Sequence, residues 1–169
     1  MRKVFLAGIF LLVGATLVCA KAKDIKFCLT YTQEEAKAAK AQKGSLVARP
    51  GEKSKDVFVA PEPFLSNKDI QSIVITKKEE TADKDYPRIE IIFTEEGARV
   101  LKEVTEKNLR KTVAVIVGKE VLMTPYVVFP LAKGRMFLTT WKIATDEAAE
   151  KFASDLGFTP TFQSPEPKP

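Results

Sequence analysis

The rhythm of apolar and polar positions changes several times along this chain, and each change marks an element. In Asp24 to Tyr31 (DIKFCLTY), Ile25, Phe27 and Leu29 fall on one side of a period-two pattern, which predicts a short strand. Thr32 followed three residues later by Glu35 makes a capping box. The helix formers of QEEAKAAKAQK then predict a helix that Gly44 ends. ARPGEKSKD is a turn-rich connector. APEPFLSNKD is an extended lead-in held open by Pro61 and Pro63, with turn residues Ser66 and Asn67 at its end.

From Ile70 the pattern becomes regular. IQSIVIT predicts a strand, KKEETADKDY a polar hairpin loop, and PRIEIIF a second strand with Ile89, Ile91 and Phe93 on one face. Thr94 caps a helix whose first turn carries Glu95 and Glu96, where the helix dipole favours anions. Ala98, Leu101, Val104 and Thr105 recur along it at helical spacing, and it ends near Asn108. TVAVIV is a third strand, apolar on both faces and therefore expected at the centre of its sheet. Gly118-Lys119 suits a type II′ hairpin turn, so EVLMTPYVVF returns antiparallel. Pro125 cannot donate to a ladder, which breaks this strand or puts it on an edge. AKGR turns again and RMFLTTW is a last strand, expected beside the previous one. Thr145 caps DEAAEKFASDL, with Ala148, Ala149, Phe152 and Leu156 on one stripe and Gly157 just past its end. Leu101 and Phe152 are expected core residues. The Pro-rich stretch from Thr159 is expected to be disordered.

The order is β-β-α-β-β-β-α after an N-terminal β-α, which argues for an α+β sandwich with two layers at its core. Right-handed crossovers put both later helices on one sheet face. Ala114 and Ile116 lie opposite Val113, Val115 and Val117, so the central strand needs a second cover; the N-terminal unit is expected to supply most of it, the alternative being a partner.

Composition narrows the function. Arg2 and Lys3 precede an apolar run, Val4 to Val18, of roughly fifteen residues, short for a membrane span and typical of a signal segment. Cleavage is expected after Ala20 or Ala22; the rival is acylation of Cys19. No later segment is apolar for long enough to span a bilayer, so a periplasmic or secreted chain is expected, without stable membrane insertion once the signal is cleaved. About 150 residues then remain, enough for one domain with a core. Cys28 is expected to be a buried apolar residue rather than a nucleophile. The charge is +5, from 27 Lys and Arg against 22 Asp and Glu. Acids are interspersed with the bases, and Lys37, Lys40 and Lys43 read as a solvated helix face, so no nucleic-acid partner is expected. The chain has no histidine, which excludes Ser-His-Asp and Cys-His catalysis and the usual zinc sites. Glu34-Glu35, Glu79-Glu80 and Glu95-Glu96 are sequence neighbours that do not face each other on a helix. No cofactor, metal or catalytic residue is expected.

Several of these stretches carry a family resemblance. EPFLSNKDIQSIVI (Glu62 to Ile75) resembles the Glu-Pro-Leu-Leu-Thr lead-in and following Asp-Ile of the head subdomain in the first periplasmic domain of SecD and of the fused SecDF protein. FTEEGARVLKEVTEKN is similar to that family's helix at Gly97, Ala98, Thr105 and Asn108. AVIVGKEVLMTPYV resembles its Ala-Ile-Val, turn, Val and Ala-Pro segment, with Pro125 at the proline. KGRMFLTTW and TDEAAEKFASDLG resemble its following strand and helix, the latter at Glu147, Ala148, Phe152, Ala153 and Leu156. Each motif is weak alone; five in order are fairly specific, from about Glu62 to Gly157. The chain departs from the pattern in its turns: the Asp-Gly hairpin is Gly118-Lys119, the Asn-hydrophobic-Gly after the first helix is Asn108-Leu109-Arg110, and Thr124 precedes the proline. It also carries nothing that corresponds to the transmembrane helices that drive SecD.

The resemblance implies a ferredoxin-like βαββαβ core with the β-α addition before it. The organisation is then a signal at 1–20, an N-terminal β-α unit and linker at 21–61, a head-like domain at 62–157 and a Pro-rich tail at 158–169. It further implies a non-enzymatic module that touches exported or unfolded polypeptide, or a partner at the translocon or in the periplasm. The alternative is a structural or regulatory interaction protein that binds one folded partner or itself. In the family the interrupted hairpin lies near the passing polypeptide. The candidate contact residues are therefore Met123, Pro125, Tyr126 and Phe129, with Arg135 and Phe137 on the strand beside them. Edge addition needs little sequence specificity; Tyr126 and Phe129 would supply apolar contact and Arg135 would meet a carbonyl or an acid. The competing reading is that Pro125 and Pro130 protect a sheet edge and that the aromatics are half-buried edge packing.

Overall fold

The computed structural model describes residues 22–46, 49–81 and 85–163. The expected signal segment and the last residues of the tail lie outside them. The elements in order are β1 (Ile25–Tyr31), α1 (Gln33–Ala38), β2 (Gln42–Leu46), β3 (Lys55–Val59), β4 (Leu65–Ser66), β5 (Ile70–Thr76) and β6 (Arg88–Phe93). They continue with α2 (Glu95–Lys107), β7 (Val113–Val117), β8 (Glu120–Met123), β9 (Arg135–Leu138), α3 (Asp146–Asp155) and β10 (Thr161–Phe162).

β7 sets the architecture. Its two apolar faces are both covered, by different parts of the molecule. One edge of β1 pairs antiparallel with β7, from Ile25↔Val117 to Leu29↔Val113. β8 folds back on β7 and meets β2 in parallel at Leu46↔Val121. β2 pairs antiparallel with β3, and β3 returns to the other edge of β1 at Thr30↔Val59 and Tyr31↔Phe58. These five strands close into a small barrel, with β4 added along the start of β1. Cys28, Val59, Ala114 and Val121 pack together on its inner side. So narrow a ring holds only small side chains. The N-terminal unit thus supplies the expected second cover, and strands from both sides of residue 61 share the barrel.

The other sheet has the order β10-β5-β6-β9. Its inner face, with Ile73, Ile75, Ile89, Ile91, Met136 and Leu138, joins one core with Ile25, Phe27, Val113 and Val115 from the outside of the barrel. Leu101 from α2 and Ala149, Ala153 and Leu156 from α3 enter the same core, so both helices lie on one side of this sheet, as the crossover argument requires. Leu101 is fully buried, while Phe152 is only partly buried against the core. The three helix starts form as their sequences predict. Thr32 and Glu35 make both capping-box bonds, 2.9 and 3.3 Å. Thr94 Oγ1 accepts from Gly97 N at 3.1 Å, and Thr145 Oγ1 accepts from Ala148 N at 3.2 Å.

The α+β class holds, but the strand order differs from a ferredoxin-like βαββαβ sheet. β7 and β8 join β1 and β2 rather than the sheet of β5 and β6, because a strand apolar on both faces needs two apolar partners and β1 offers Ile25 and Phe27 on one side and Cys28 on the other. The first helix ends at Ala38, well before Gly44. Lys40 takes a positive φ of 51°, and Gln42–Leu46 becomes a strand that the expected helix had absorbed. β3 lies partly in the expected connector. β9 pairs with β6 rather than β8. Thr161–Phe162, expected to be disordered, pairs in parallel with β5 at Val74 and Ile75.

Gly134 makes the swerve into β9. Its φ is +63°, and a Cβ there would sit 2.6 Å from Ala98 Cβ on α2. Gly134→Ala is therefore expected to cost about 2–3 kcal/mol, from left-handed strain plus overpacking. Pairing it with Ala98→Gly recovers the overpacking share only. A double-mutant cycle read by urea denaturation checks this, and strict additivity would rule out the contact.

Candidate functional site

The sequence expectation grouped Met123, Pro125, Tyr126, Phe129, Arg135 and Phe137 on adjoining strands. The structure distributes them over two sheets and gives each group its own surroundings.

Met123 ends β8 opposite Val115. Pro125 interrupts the strand without detaching it: its carbonyl accepts from Val113 N at 3.0 Å, and Val127 N donates to Lys111 O at 2.8 Å. Tyr126 bridges to Thr112. Val127 turns inward and is buried. On the facing strand Arg110 N also donates to Val127 O, at 2.9 Å, so Arg110 and Lys111 together oppose one residue. This is a β-bulge, and its first residue takes a left-handed conformation that glycine favours. Arg110 has φ +63° and stands where the family pattern has glycine. Beyond this ladder the chain is open, with Tyr126 56%, Val128 69% and Phe129 65% exposed. The competing expectation, that the aromatics are half-buried edge packing, does not fit Tyr126 and Phe129.

Arg135 and Phe137 lie on β9, the terminal strand of the second sheet. Phe93 N donates to Gly134 O at 3.0 Å, which makes residues 93 and 134 a hydrogen-bonded pair. The alternation of an antiparallel ladder then commits Met136 and Leu138 to β6, while the backbone N–H and C=O groups of Arg135 and Phe137 point to the free edge. No backbone partner takes them up among the described residues. Their side chains lie on the outer sheet face. Arg135 bonds Glu90 Oε1 at 2.7 Å, and Glu90 is nearly buried although it lies on that face. It is flanked in register by Val74 and Phe137. Phe137 is 47% exposed, and the Arg88 guanidinium sits 5.1 Å from its ring centre, a cation–π contact.

Between the two groups lies a cleft of about 520 Å³ lined by Leu122, Met123, Tyr86, Thr139 and Trp141 together with Lys53. It joins the end of β8 to the end of β9, so Met123 and β9 meet at one cleft without being neighbours in a sheet. A second cavity of about 300 Å³ opens at the barrel mouth, where Lys26 and Lys119 stand over Cys28, Val59, Ile116 and Val121. Burial pushes the Cys28 thiol upward, against the opposing charge of Lys26, which suits a packing residue rather than a nucleophile. Among the described residues, no three His, Cys, Asp or Glu side chains gather where they could hold a metal ion. No helix among them is long and apolar enough to cross a membrane.

A closed five-strand barrel sharing one core with a four-stranded sheet and two helices is the class of module that this fold defines. Its family is specific: the model of the SecDF P1 head subdomain matches residues 39–156, and the chain belongs to that family. The match begins well before Glu62 and takes in β2 and β3, the strands that complete the barrel. Two solved structures share the fold. One is of a membrane component SecDF that enhances protein export, with 16% identity, a TM-score of 0.58, and 83% of this chain aligned to 64% of that one. The other is SecDF in a super-membrane-facing form, with 19% identity, a TM-score of 0.60, and 81% of this chain aligned to 19% of that one. The chain therefore spans less than two thirds of either. No curated protein matches it.

The sequence carried no strand signal for the free edge of β9 beyond its length. The bulge at Arg110 was readable in principle, because an arginine at a family glycine marks an unusual backbone position.

Proposed function

We propose that this module binds extended polypeptide at the β9 edge, as a non-enzymatic accessory of protein export on the outer side of the cytoplasmic membrane. The carrying observation is the pair of unpartnered backbone rows at Arg135 and Phe137. An added strand satisfies those groups without demanding a sequence, which is what a module serving many exported chains requires. Phe137 supplies an apolar contact on the outer face. The cleft at Met123 and Trp141 takes a side chain where the added strand runs past Leu138. Arg135 is occupied by Glu90 and serves to hold the edge flat rather than to grip an acid. The signal-like start of the chain and the family together support a periplasmic location.

The test is titration of a reduced, unfolded exported protein into the module, followed by NMR. Chemical-shift changes are expected at Arg135–Leu138 and around Trp141, and Phe137→Lys is expected to weaken binding several-fold, since an edge lysine resists strand addition. Shifts confined to α1 and β3 would overturn this reading. The half-exposed outer face of the same sheet, with Val74, Ile92 and Phe137, favours docking of one folded partner or a second copy as the alternative. Shifts across Ser72–Val74 and Glu90–Ile92 that appear only with a folded partner, or as the concentration of the module alone rises, would identify it.

A further inference from the structure

Among the described residues, four of the six exposed large apolar side chains collect away from β9: Leu109, Tyr126, Val128 and Phe129. The bond from Arg110 N to Val127 O sets Leu109 beside Val128. Successive residues of an extended chain point to opposite sides, yet Val128 and Phe129 are both well exposed, at 69% and 65%. Both side chains are thus largely open to solvent, and neither of the two cavities described above includes them. The feature is a projection, not a groove. Its base is anchored, since the Val127 N–H and C=O and the Pro125 C=O are bonded to residues 110–113.

Cations flank the projection. Lys107, Arg110 and Lys111 are exposed, and none forms an ion pair among the described residues. The acids in the last turns of the adjoining helix have partners: Glu103 pairs with Arg99 and Glu106 with Lys102. Lys111 faces Glu35, whose carboxyl it helps to hold below the usual range after the larger effect of the Thr32 hydrogen bonds. Arg110 occupies a backbone conformation that glycine would take without strain, and strained residues persist where function retains them.

We propose that Leu109 and the Tyr126–Phe129 projection, with Lys107 and Arg110 beside them, dock the module onto the surface of a bilayer that contains anionic lipid. Apolar side chains on a convex tip enter the headgroup boundary, the amphipathic tyrosine sits at its level, and the two cations meet lipid phosphates. This surface is distinct from the β9 edge, so a docked module keeps its polypeptide site free.

The experiment places the probe at the tip, so that the apolar N-terminal run of the full chain does not contribute. F129W is made in the full chain, and the wild-type spectrum is subtracted to remove Trp141. Vesicles of phosphatidylglycerol with brominated acyl chains are expected to shift its emission to the blue and quench it. Vesicles of phosphatidylcholine are expected to do neither, and high salt to reverse the effect. Emission that stays water-like on both vesicles would overturn the proposal, and so would equal quenching on both. Arg110→Gly gives the second readout. It is expected to raise the melting temperature while weakening partition to the anionic vesicles roughly fivefold; unchanged partition would reduce Arg110 to a turn residue and sink the charge assignment.

Discussion

Replacing Phe27 by alanine lowers the stability of the module by about 3–5 kcal/mol. Phe27 is fully buried in the middle of β1, and β1 is the strand on which the barrel closes. Its ring leaves the barrel on the outer side and meets Phe93 of the other sheet edge-on, with centroids 5.3 Å apart and planes at 73°. One side chain therefore joins the two sheets. Truncation removes the transfer energy of the ring, leaves a cavity bordered by rigid strands that collapse poorly, and forfeits an aromatic pair. Urea denaturation of Phe27→Ala checks it. A midpoint near that of the wild type would mean that the sheets do not share this core.

Leu101→Ala is expected to cost about 2–5 kcal/mol. The residue is fully buried, and it is the side chain by which α2 reaches the central core. One turn on, Thr105 Oγ1 donates back to Leu101 O at 2.7 Å and accepts from Leu131 N at 3.0 Å. A shift of the helix toward the cavity would therefore pull the segment that leads into β9, which limits relaxation and places the cost in the upper half of the range. Phe152→Ala is expected to cost less, since its ring lies at the margin of the core. Thermal melting of the pair orders them, and a smaller shift for Leu101→Ala than for Phe152→Ala would show that the helices are packed otherwise.

What the sequence made legible was local. The caps at Thr32, Thr94 and Thr145, the hairpin at Gly118 and the inward faces of β5, β6 and α3 follow from chemistry within a few residues. Gly118 takes φ +62° while Lys119 keeps a negative φ, in accord with the expected turn. What failed was non-local. KDVFV is too short for a period-two signal to separate it from a connector, and QKGSL follows good helix formers; both become strands because a barrel wall is vacant beside β1 and β8. The placement of β9 depended on the left-handed step at Gly134, which alternation of side chains does not encode. For the same reason the candidate contact residues, expected on neighbouring strands, are divided between two sheets.

The closure of the barrel also fixes an order in time. β1 pairs with β7 at Cys28↔Ala114 and with β3 at Thr30↔Val59, so the earliest strand of the chain finds its principal partner only after most of the sequence has been made. Contacts of such long sequence separation pay loop entropy before they return any burial, and they form slowly. Until Val117 is free to pair, β1 lacks its longest ladder. A strand that waits for so distant a partner makes closure of the barrel a slow event in folding.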